Sequence, residues 1–190
     1  MTLKVIAFDG DDTLWDNQIY YDAAEAKVQA LVAPWLDKQA YAKLIIEIET
    51  RRVKICGFGS QSFTLSLLEL ASRCVPQELS GAMIQQIIAI GEAVALAEYT
   101  HIPHAWDVVK KARAHCKTIL ITKGSHFEQS TKLERNGFNN CFDAIEIVPD
   151  KNTGVYQDLA KRHGFGLGEM MMIGNSIKSD IQPLIGHAKR

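Results

Sequence analysis

Three carboxylates fall close together near the start of the chain, in the run Asp9-Gly10-Asp11-Asp12. Carboxylates at this spacing repel one another, so the run is a poor choice for stability unless something offsets its charge. A divalent cation would do so, since Mg²⁺ prefers oxygen ligands and binds one or two carboxylates together with substrate phosphate oxygens. The run therefore predicts a magnesium-dependent site for phosphoryl transfer.

The segment that precedes these acids is typical of a buried strand. Residues 3–8 read Leu-Lys-Val-Ile-Ala-Phe, which is mostly apolar and partly β-branched, the profile of a parallel strand covered on both faces. Such a strand would place the acids at the carboxyl edge of its sheet, where open α/β folds bind their ligands.

From residue 103 onwards, short apolar runs alternate with helical patterns. The further predicted strands are residues 117–122, 144–148 and 170–173, and the predicted helices are residues 103–116, 127–136 and 155–163. Strands and helices that alternate in this way form a parallel sheet with right-handed crossovers. We expect an α/β protein with a Rossmann-like core of three layers. The three methionines of the last predicted strand, residues 170–172, are expected to lie in the hydrophobic core of the protein.

Residues 17–98 carry a different pattern, with apolar residues at helical spacing throughout. This predicts an all-helical domain inserted into an α/β core made of residues 1–16 and 99–190. The break around Gly57 and Gly59 is either a specificity loop or an ordinary turn between two helices. Beyond Asp180, residues 181–190 are too few for a helix and a further strand, so either the protein is small or this copy has lost a tail.

The bulk composition argues against several functional classes. Lys and Arg total 21 against 22 Asp and Glu, a formal net charge of -1 that gives no bulk attraction to nucleic acid or to a membrane surface. The four cysteines are far apart, which is typical of reduced thiols in a cytosolic protein rather than of a zinc site. Asp9 interrupts the short apolar run at the amino end, so we expect neither a signal peptide nor a spanning helix. The prediction is a soluble cytoplasmic protein.

The order of polar groups along the predicted strands resembles that of the haloacid dehalogenase superfamily, whose members are mostly phosphatases. Residues 9–14 read Asp-Gly-Asp-Asp-Thr-Leu and match its first motif, an apolar strand followed by Asp-x-Asp-x-Thr-Leu. Thr122, with Gly124 behind it, is similar to the second motif, a strand ending in Thr or Ser. The helical insertion after the first motif lies where this superfamily has its helical cap.

Two lysines compete for the third motif. Lys132 lies within the helix after Thr122, where a solvated lysine is expected, whereas Lys151 follows the third strand and precedes a helix, as in the superfamily. Lys151 is therefore favoured. The fourth motif departs from the common pattern, because Asn175 stands where an acid is usual and Asp180 follows later. An amide oxygen adds no negative charge, so we expect weaker metal binding, and Asn175 could also be a plain turn residue.

The resemblance implies a role for each of these residues. Asp9 would be the nucleophile that forms an aspartyl-phosphate, and Asp11 would move protons to the leaving group and from water. The implied catalytic residues are Asp9, Asp11, Thr122 and Lys151. Substrate phosphate would be bound by Thr122, Lys123, Gly124 and Lys151. The implied ligands of Mg²⁺ are Asp9, Asp11, Asn175 and Asp180, the last either directly or through a bound water. Asp12 is left unassigned, either exposed or capping a helix.

The prediction is thus a phosphatase that acts on a small phosphorylated metabolite, with Mg²⁺ as cofactor. Three other activities compete. A haloacid dehalogenase would keep Asp9 but has no use for Asp11, and a phosphomutase would return the phosphoryl group to its substrate. A catalytically weak or silent member is the third possibility, suggested by Asn175. A phospho-acceptor signalling module is disfavoured, because its phosphorylated Asp follows a later strand and it has no long helical insertion.

Overall fold

The computed structural model describes residues 3–75 and 79–187. The chain divides into two compact units. One unit ends its first segment at Asn17 and resumes at Tyr99, and the other runs from Gln18 to Glu98. No helix of the described residues is long and apolar enough to cross a membrane. The proposal that the second unit acts as a cap stays a prediction.

A parallel sheet forms the centre of the first unit. Its strands are β1 (Val5–Phe8), β2 (Lys117–Lys123), β3 (Ala144–Val148) and β4 (Met170–Ile173). They are arranged in the order β3-β2-β1-β4, and every pair is parallel. The predicted α/β, Rossmann-like fold class is confirmed.

The register of the sheet places the predicted site residues at one edge. Phe8, the last residue of β1, pairs with Leu120 of β2 and with Ile173 of β4. The backbone N–H of Asp9 continues the ladder by donating to the Ile173 carbonyl at 2.8 Å. The acidic run, Thr122 and the turn after β4 therefore all leave the sheet at its carboxyl end.

Three helices of this unit connect the strands, namely α5 (Ala105–Arg113), α6 (His126–Arg135) and α7 (Thr153–His163). The helix predicted from residue 103 is shorter, because His104 has a left-handed φ of 65° and α5 begins after it. Asn152 caps α7 by accepting from the Val155 N–H. After β4, a π-helical turn (Ile177–Ile181) and a 3₁₀ turn (Gln182–Leu184) follow.

One apolar core of the α/β unit lies between the sheet and α7, with Val5, Ile119 and Ile121 packed near Tyr156 and Leu159. The prediction that all three methionines of β4 are core residues is wrong. Met170 and Met172 pack against this core, whereas Met171 is 49% exposed. The difference arises because β4 is an edge strand of the described sheet, and alternate side chains of a strand point to opposite faces.

The helical unit has a core of its own. Its helices are α1 (Gln18–Val32), α2 (Lys38–Cys56), α3 (Ser60–Cys74) and α4 (Gly81–Ala95). Buried residues at helical spacing, such as Val28, Ile48, Leu67 and Ile87, form one apolar cluster. The fourth helix was predicted to start near residue 78, which lies outside the described residues. It begins at Gly81, where the Ser80 hydroxyl accepts from the Met83 N–H.

Candidate active site

Asp9 is buried directly after β1, with an exposed fraction of 7%. Its Oδ1 accepts from Lys151 Nζ at 2.6 Å, and the Thr13 hydroxyl approaches its Oδ2 at 3.4 Å. Burial raises the pKa of Asp9 to about 6, since desolvation and the neighbouring Asp180 outweigh the favourable charge of Lys151. The carboxylate is therefore ionised near neutral pH, as a nucleophile needs to be.

Lys151 links Asp9 to a second buried carboxylate. Its Nζ also donates to Asp180 Oδ1 at 2.7 Å, and Lys151 and Asp180 are 5% and 0% exposed. The other oxygen of Asp180 accepts from the Ser176 backbone N–H at 2.9 Å. Asp9 and Asp180 thus both accept from the ammonium group of Lys151 at the sheet edge, so each buried charge has a partner of opposite sign. Asp180 reaches this position because residue 174 is a glycine. The Cβ of any other residue there would lie 2.3 Å from Asp180 Oδ2.

Asp11 has a separate set of partners. Its Oδ1 accepts from Lys132 Nζ at 2.6 Å and from the Trp15 indole N–H at 2.8 Å. Its Oδ2 accepts from Gln129 Nε2 at 2.9 Å. The expectation that Lys132 is solvated is therefore wrong: it is only 4% exposed and is paired with Asp11. Each of the two lysines that competed for one motif contacts its own aspartate.

Gln129 joins Asp11 to the end of β2. Its Nε2 lies 3.0 Å from the Thr122 hydroxyl and 2.9 Å from the Lys123 carbonyl. Gly124 leaves room for this side chain, because a Cβ there would lie 3.1 Å from Gln129 Cγ and Nε2. Gly124 also has a φ of 153°, which L side chains rarely adopt. The predicted pair Thr122 and Gly124 thus lies beside Asp11, with Thr122 fully buried.

Lys123 lies at the margin of this group. It is half-buried, and its Nζ donates to the Ser179 hydroxyl at 3.4 Å. Burial lowers the pKa of Lys123, while the neighbouring carboxylates oppose that change. Its place at the carboxyl end of β2 is consistent with the predicted contact to phosphate, which stays a prediction.

The three acids of the first motif do not depend on one shared cation. Asp9 is paired with Lys151 and Asp11 with Lys132. Asp12 has a left-handed φ of 55°, and its Oδ1 accepts from the Asn17 backbone N–H at 2.8 Å, just before α1 begins. A metal is thus not needed to offset their mutual repulsion, because separate donors already stabilise each carboxylate.

The residues that could hold Mg²⁺ offer oxygen atoms. In the described residues no group of three His, Cys, Asp or Glu side chains could hold a metal ion. The donors available are the Asp9 carboxylate, the Asp11 carbonyl and the amide oxygen of Asn175, which is exposed after β4. This set suits Mg²⁺, which keeps several waters and binds substrate phosphate. Both oxygens of Asp180 already have donors, so Asp180 is more suited to holding Lys151.

Sequence reasoning missed Gln129 and Trp15 as parts of this site, and it weighed Lys132 but favoured Lys151. One signal for two of them was available in α6, whose buried residues are Gln129, Lys132 and Leu133. Leu133 marks the inward face of that helix, and positions three and four residues apart share a face. The polar residues on that face point at the sheet edge instead of at solvent.

Residues 3–187 match the haloacid dehalogenase-like hydrolase family. Because the match covers nearly the whole chain, the protein belongs to this family of hydrolases. Comparison with curated proteins gave no match.

Several solved structures are similar to this chain. A haloacid dehalogenase-like family hydrolase from Xanthomonas campestris is 33% identical, with a TM-score of 0.91 over 98% of this chain and 78% of that one. YfnB from Bacillus subtilis, bound to magnesium, is 18% identical, with a TM-score of 0.66 over 97% and 85%. L-2-haloacid dehalogenase from Xanthobacter autotrophicus is 16% identical, with a TM-score of 0.59 over 90% and 69%. The last two show the fold alone.

Proposed function

We propose that this hydrolase is a magnesium-dependent phosphatase that cleaves a small phosphomonoester through an aspartyl-phosphate on Asp9. The observation that supports this best is the separate placement of two aspartates. Asp9 is paired with Lys151, while Asp11 has three side-chain donors of its own. A dehalogenase needs the first carboxylate but has no proton to deliver to a leaving halide. The partners of Asp11 therefore favour phosphoryl transfer.

In the first step Asp9 attacks the phosphorus of the ester. A bond forms between an Asp9 carboxylate oxygen and phosphorus, and the bond from phosphorus to the ester oxygen breaks. The leaving alkoxide takes its proton from Asp11, which acts as general acid. Lys151 Nζ, already 2.6 Å from Asp9, offsets negative charge on the nucleophile and on the phosphoryl oxygens.

In the second step a water molecule attacks the phosphorus of the aspartyl-phosphate. Asp11, now ionised, takes a proton from that water. The bond between phosphorus and Asp9 breaks, inorganic phosphate leaves and the Asp9 carboxylate is restored. The Thr122 hydroxyl and the backbone N–H groups of the turn after β2 would hold phosphoryl oxygens.

Magnesium, held by Asp9, the Asp11 carbonyl and Asn175, would stabilise negative charge on the phosphoryl group. The magnesium-bound YfnB structure, which has the same fold, supports this cofactor. We also propose that the substrate is a small phosphorylated metabolite, since the net charge of -1 offers no bulk attraction to nucleic acid.

The test is the release of phosphate from p-nitrophenyl phosphate, with and without Mg²⁺. Asp9→Asn should lower kcat at least about 1,000-fold, because loss of a nucleophile removes the covalent route. Asp158→Asn is the matched control, since Asp158 is exposed on α7. Acid quenching of the wild-type enzyme should trap phosphate on the peptide that contains Asp9.

Two further assays separate the alternatives. Chloride release from 2-chloropropionate without turnover of any phosphoester would replace the proposal with dehalogenation. Transfer of the phosphoryl group to a second position of a sugar phosphate, without net phosphate release, would replace it with a mutase.

A further inference from the structure

We propose that Lys132 is a positioning residue for Asp11, and that together with Trp15 it holds one carboxylate oxygen so that the other carries the transferred proton. This rests on the proposed phosphatase activity. It concerns a lysine in α6 that is distinct from Lys151, which contacts Asp9 and Asp180. The role of Lys132 follows from its contacts, its burial and the donors that share its partner.

The two carboxylate oxygens of Asp11 accept different numbers of hydrogen bonds. Oδ1 accepts from Lys132 Nζ at 2.6 Å and from Trp15 Nε1 at 2.8 Å. A carboxylate oxygen has two lone-pair sites, so these donors fill Oδ1. Oδ2 accepts only from Gln129 Nε2 among the side chains described. The geometry therefore assigns proton transfer to Oδ2, which keeps a free lone pair.

Lys132 is itself held from several directions. Its Nζ donates to Asn17 Oδ1 at 3.0 Å and lies 4.4 Å from the centre of the Tyr99 ring. Asn17 and Tyr99 are the residues at which the chain leaves the α/β unit and returns to it. A buried cation with two oxygen acceptors and an aromatic face has little freedom to move. It can thus fix the rotation of the Asp11 carboxylate.

Trp15 provides the second support and is equally constrained. It is fully buried, and its ring stacks on Phe138 with centroids 4.7 Å apart. A neutral indole N–H alone is a weaker anchor than a charged ammonium group. Removal of Lys132 should therefore allow Asp11 to rotate, and a small misplacement of a catalytic group is costly.

The dependence of rate on the leaving group isolates this role. p-Nitrophenolate is stable and leaves without a proton, whereas the phenolate from phenyl phosphate depends more on the general acid. The ratio kcat/KM reports the steps up to release of the phenol, which excludes hydrolysis of the aspartyl-phosphate. Lys132→Met keeps the length of the side chain and removes its charge. We expect kcat/KM to fall about 100-fold for phenyl phosphate but less than about 5-fold for p-nitrophenyl phosphate.

Lys110→Met is the matched control, because Lys110 is exposed on α5. Lys110→Met should leave kcat/KM unchanged for both phenyl phosphate and p-nitrophenyl phosphate. Equal losses for the two esters in Lys132→Met would show a merely structural role and overturn the proposal. An unchanged or increased value for phenyl phosphate would show that Lys132 restrains Asp11 instead of positioning it, which also overturns the proposal. Absence of turnover by the wild-type enzyme would instead refute the proposed function.

Asn17→Ala is the second variant, since it removes one acceptor from Lys132 and leaves its contact with Asp11. Circular dichroism and thermal unfolding would first establish that each variant is folded. If Lys132→Met does not fold, the same pair of esters decides the question in Asn17→Ala. A loss confined to phenyl phosphate supports the proposal, and an equal loss or none contradicts it.

Discussion

Asp9 shows why a buried carboxylate has a cost for the fold. Removal from water raises its pKa to about 6, although Lys151 lies at 2.6 Å and favours the ionised form. Asp180 shares the same lysine and adds a second negative charge. The ionised state that the proposed chemistry needs is therefore the state that the fold disfavours, a common arrangement at functional sites.

This predicts that Asp9→Asn stabilises the protein at alkaline pH. The folded pKa of about 6 lies above the unfolded value of about 3.9, so the folded state binds more protons between these pH values. The contribution of Asp9 to stability is accordingly lost as pH rises through about 6. The gain from Asp9→Asn should be on the order of 2 kcal/mol at pH 8 and close to zero near pH 4.

The measurement is urea unfolding of the two proteins at both pH values, without magnesium. Asp158→Asn again serves as the control, and it should show no such dependence on pH. A loss of stability in Asp9→Asn at pH 8 would contradict this prediction. It would mean that pairing with Lys151 stabilises the Asp9 carboxylate by more than burial destabilises it.

At the scale of elements, two glycines fix the turns that hold the aspartates. Gly10 lies against the Trp15 indole, where a Cβ would be 2.5 Å from a ring carbon. Gly174 lies against Asp180, where a Cβ would be 2.3 Å from Oδ2 and 2.4 Å from Cγ. Both positions need a close approach, which only glycine allows. The turn after β1 thus supports Asp11 through Trp15, and the turn after β4 supports Lys151 through Asp180.

Gly174→Ala should impair the site more than the fold. Asp180 would have to move by about 1 Å, which would displace Lys151 and lower kcat about 100-fold. The cost in unfolding free energy should be about 1–3 kcal/mol, as for other overpacked sites. Gly81→Ala in α4 is the control, since its Cβ meets nothing within 4 Å. Unchanged kcat in Gly174→Ala would show that the position of Asp180 does not matter.

The elements themselves were largely predictable, and the partners of the aspartates were not. The bounds predicted for β3 and β4 agree with the structure, because runs such as residues 144–148 are mostly apolar, short and bounded by turn residues. The inward face of α6, marked by Leu133, could have indicated that Lys132 is buried, but not which groups it contacts. Its burial depends on Asp11, Asn17 and Tyr99, which come from distant parts of the sequence. Local pattern cannot supply such contacts.

At the scale of the whole molecule, each of the two units has an apolar core of its own among the described residues. One is formed by the helices of the inserted unit and includes Leu67, Leu70 and Ile87. The other lies against the sheet and includes Ile119 and Leu159. All the side chains placed in the candidate site belong to the α/β unit, which is made of the segments up to Asn17 and from Tyr99. Packing in the helical core should thus affect the chemistry only indirectly.

A matched pair of cavities tests this division. Leu67→Ala and Leu159→Ala each remove a buried leucine side chain, one from each core, and each should cost about 2–5 kcal/mol locally. Hydrogen exchange should show faster exchange of α2, α3 and α4 amides in Leu67→Ala, with β1 and β2 unchanged. Leu159→Ala should show the reverse and should also lower the proposed phosphatase activity, because α7 begins two residues after Lys151. Equal acceleration across both units in either variant would mean that the chain unfolds as one cooperative body, and the two cores could then not be treated as independent.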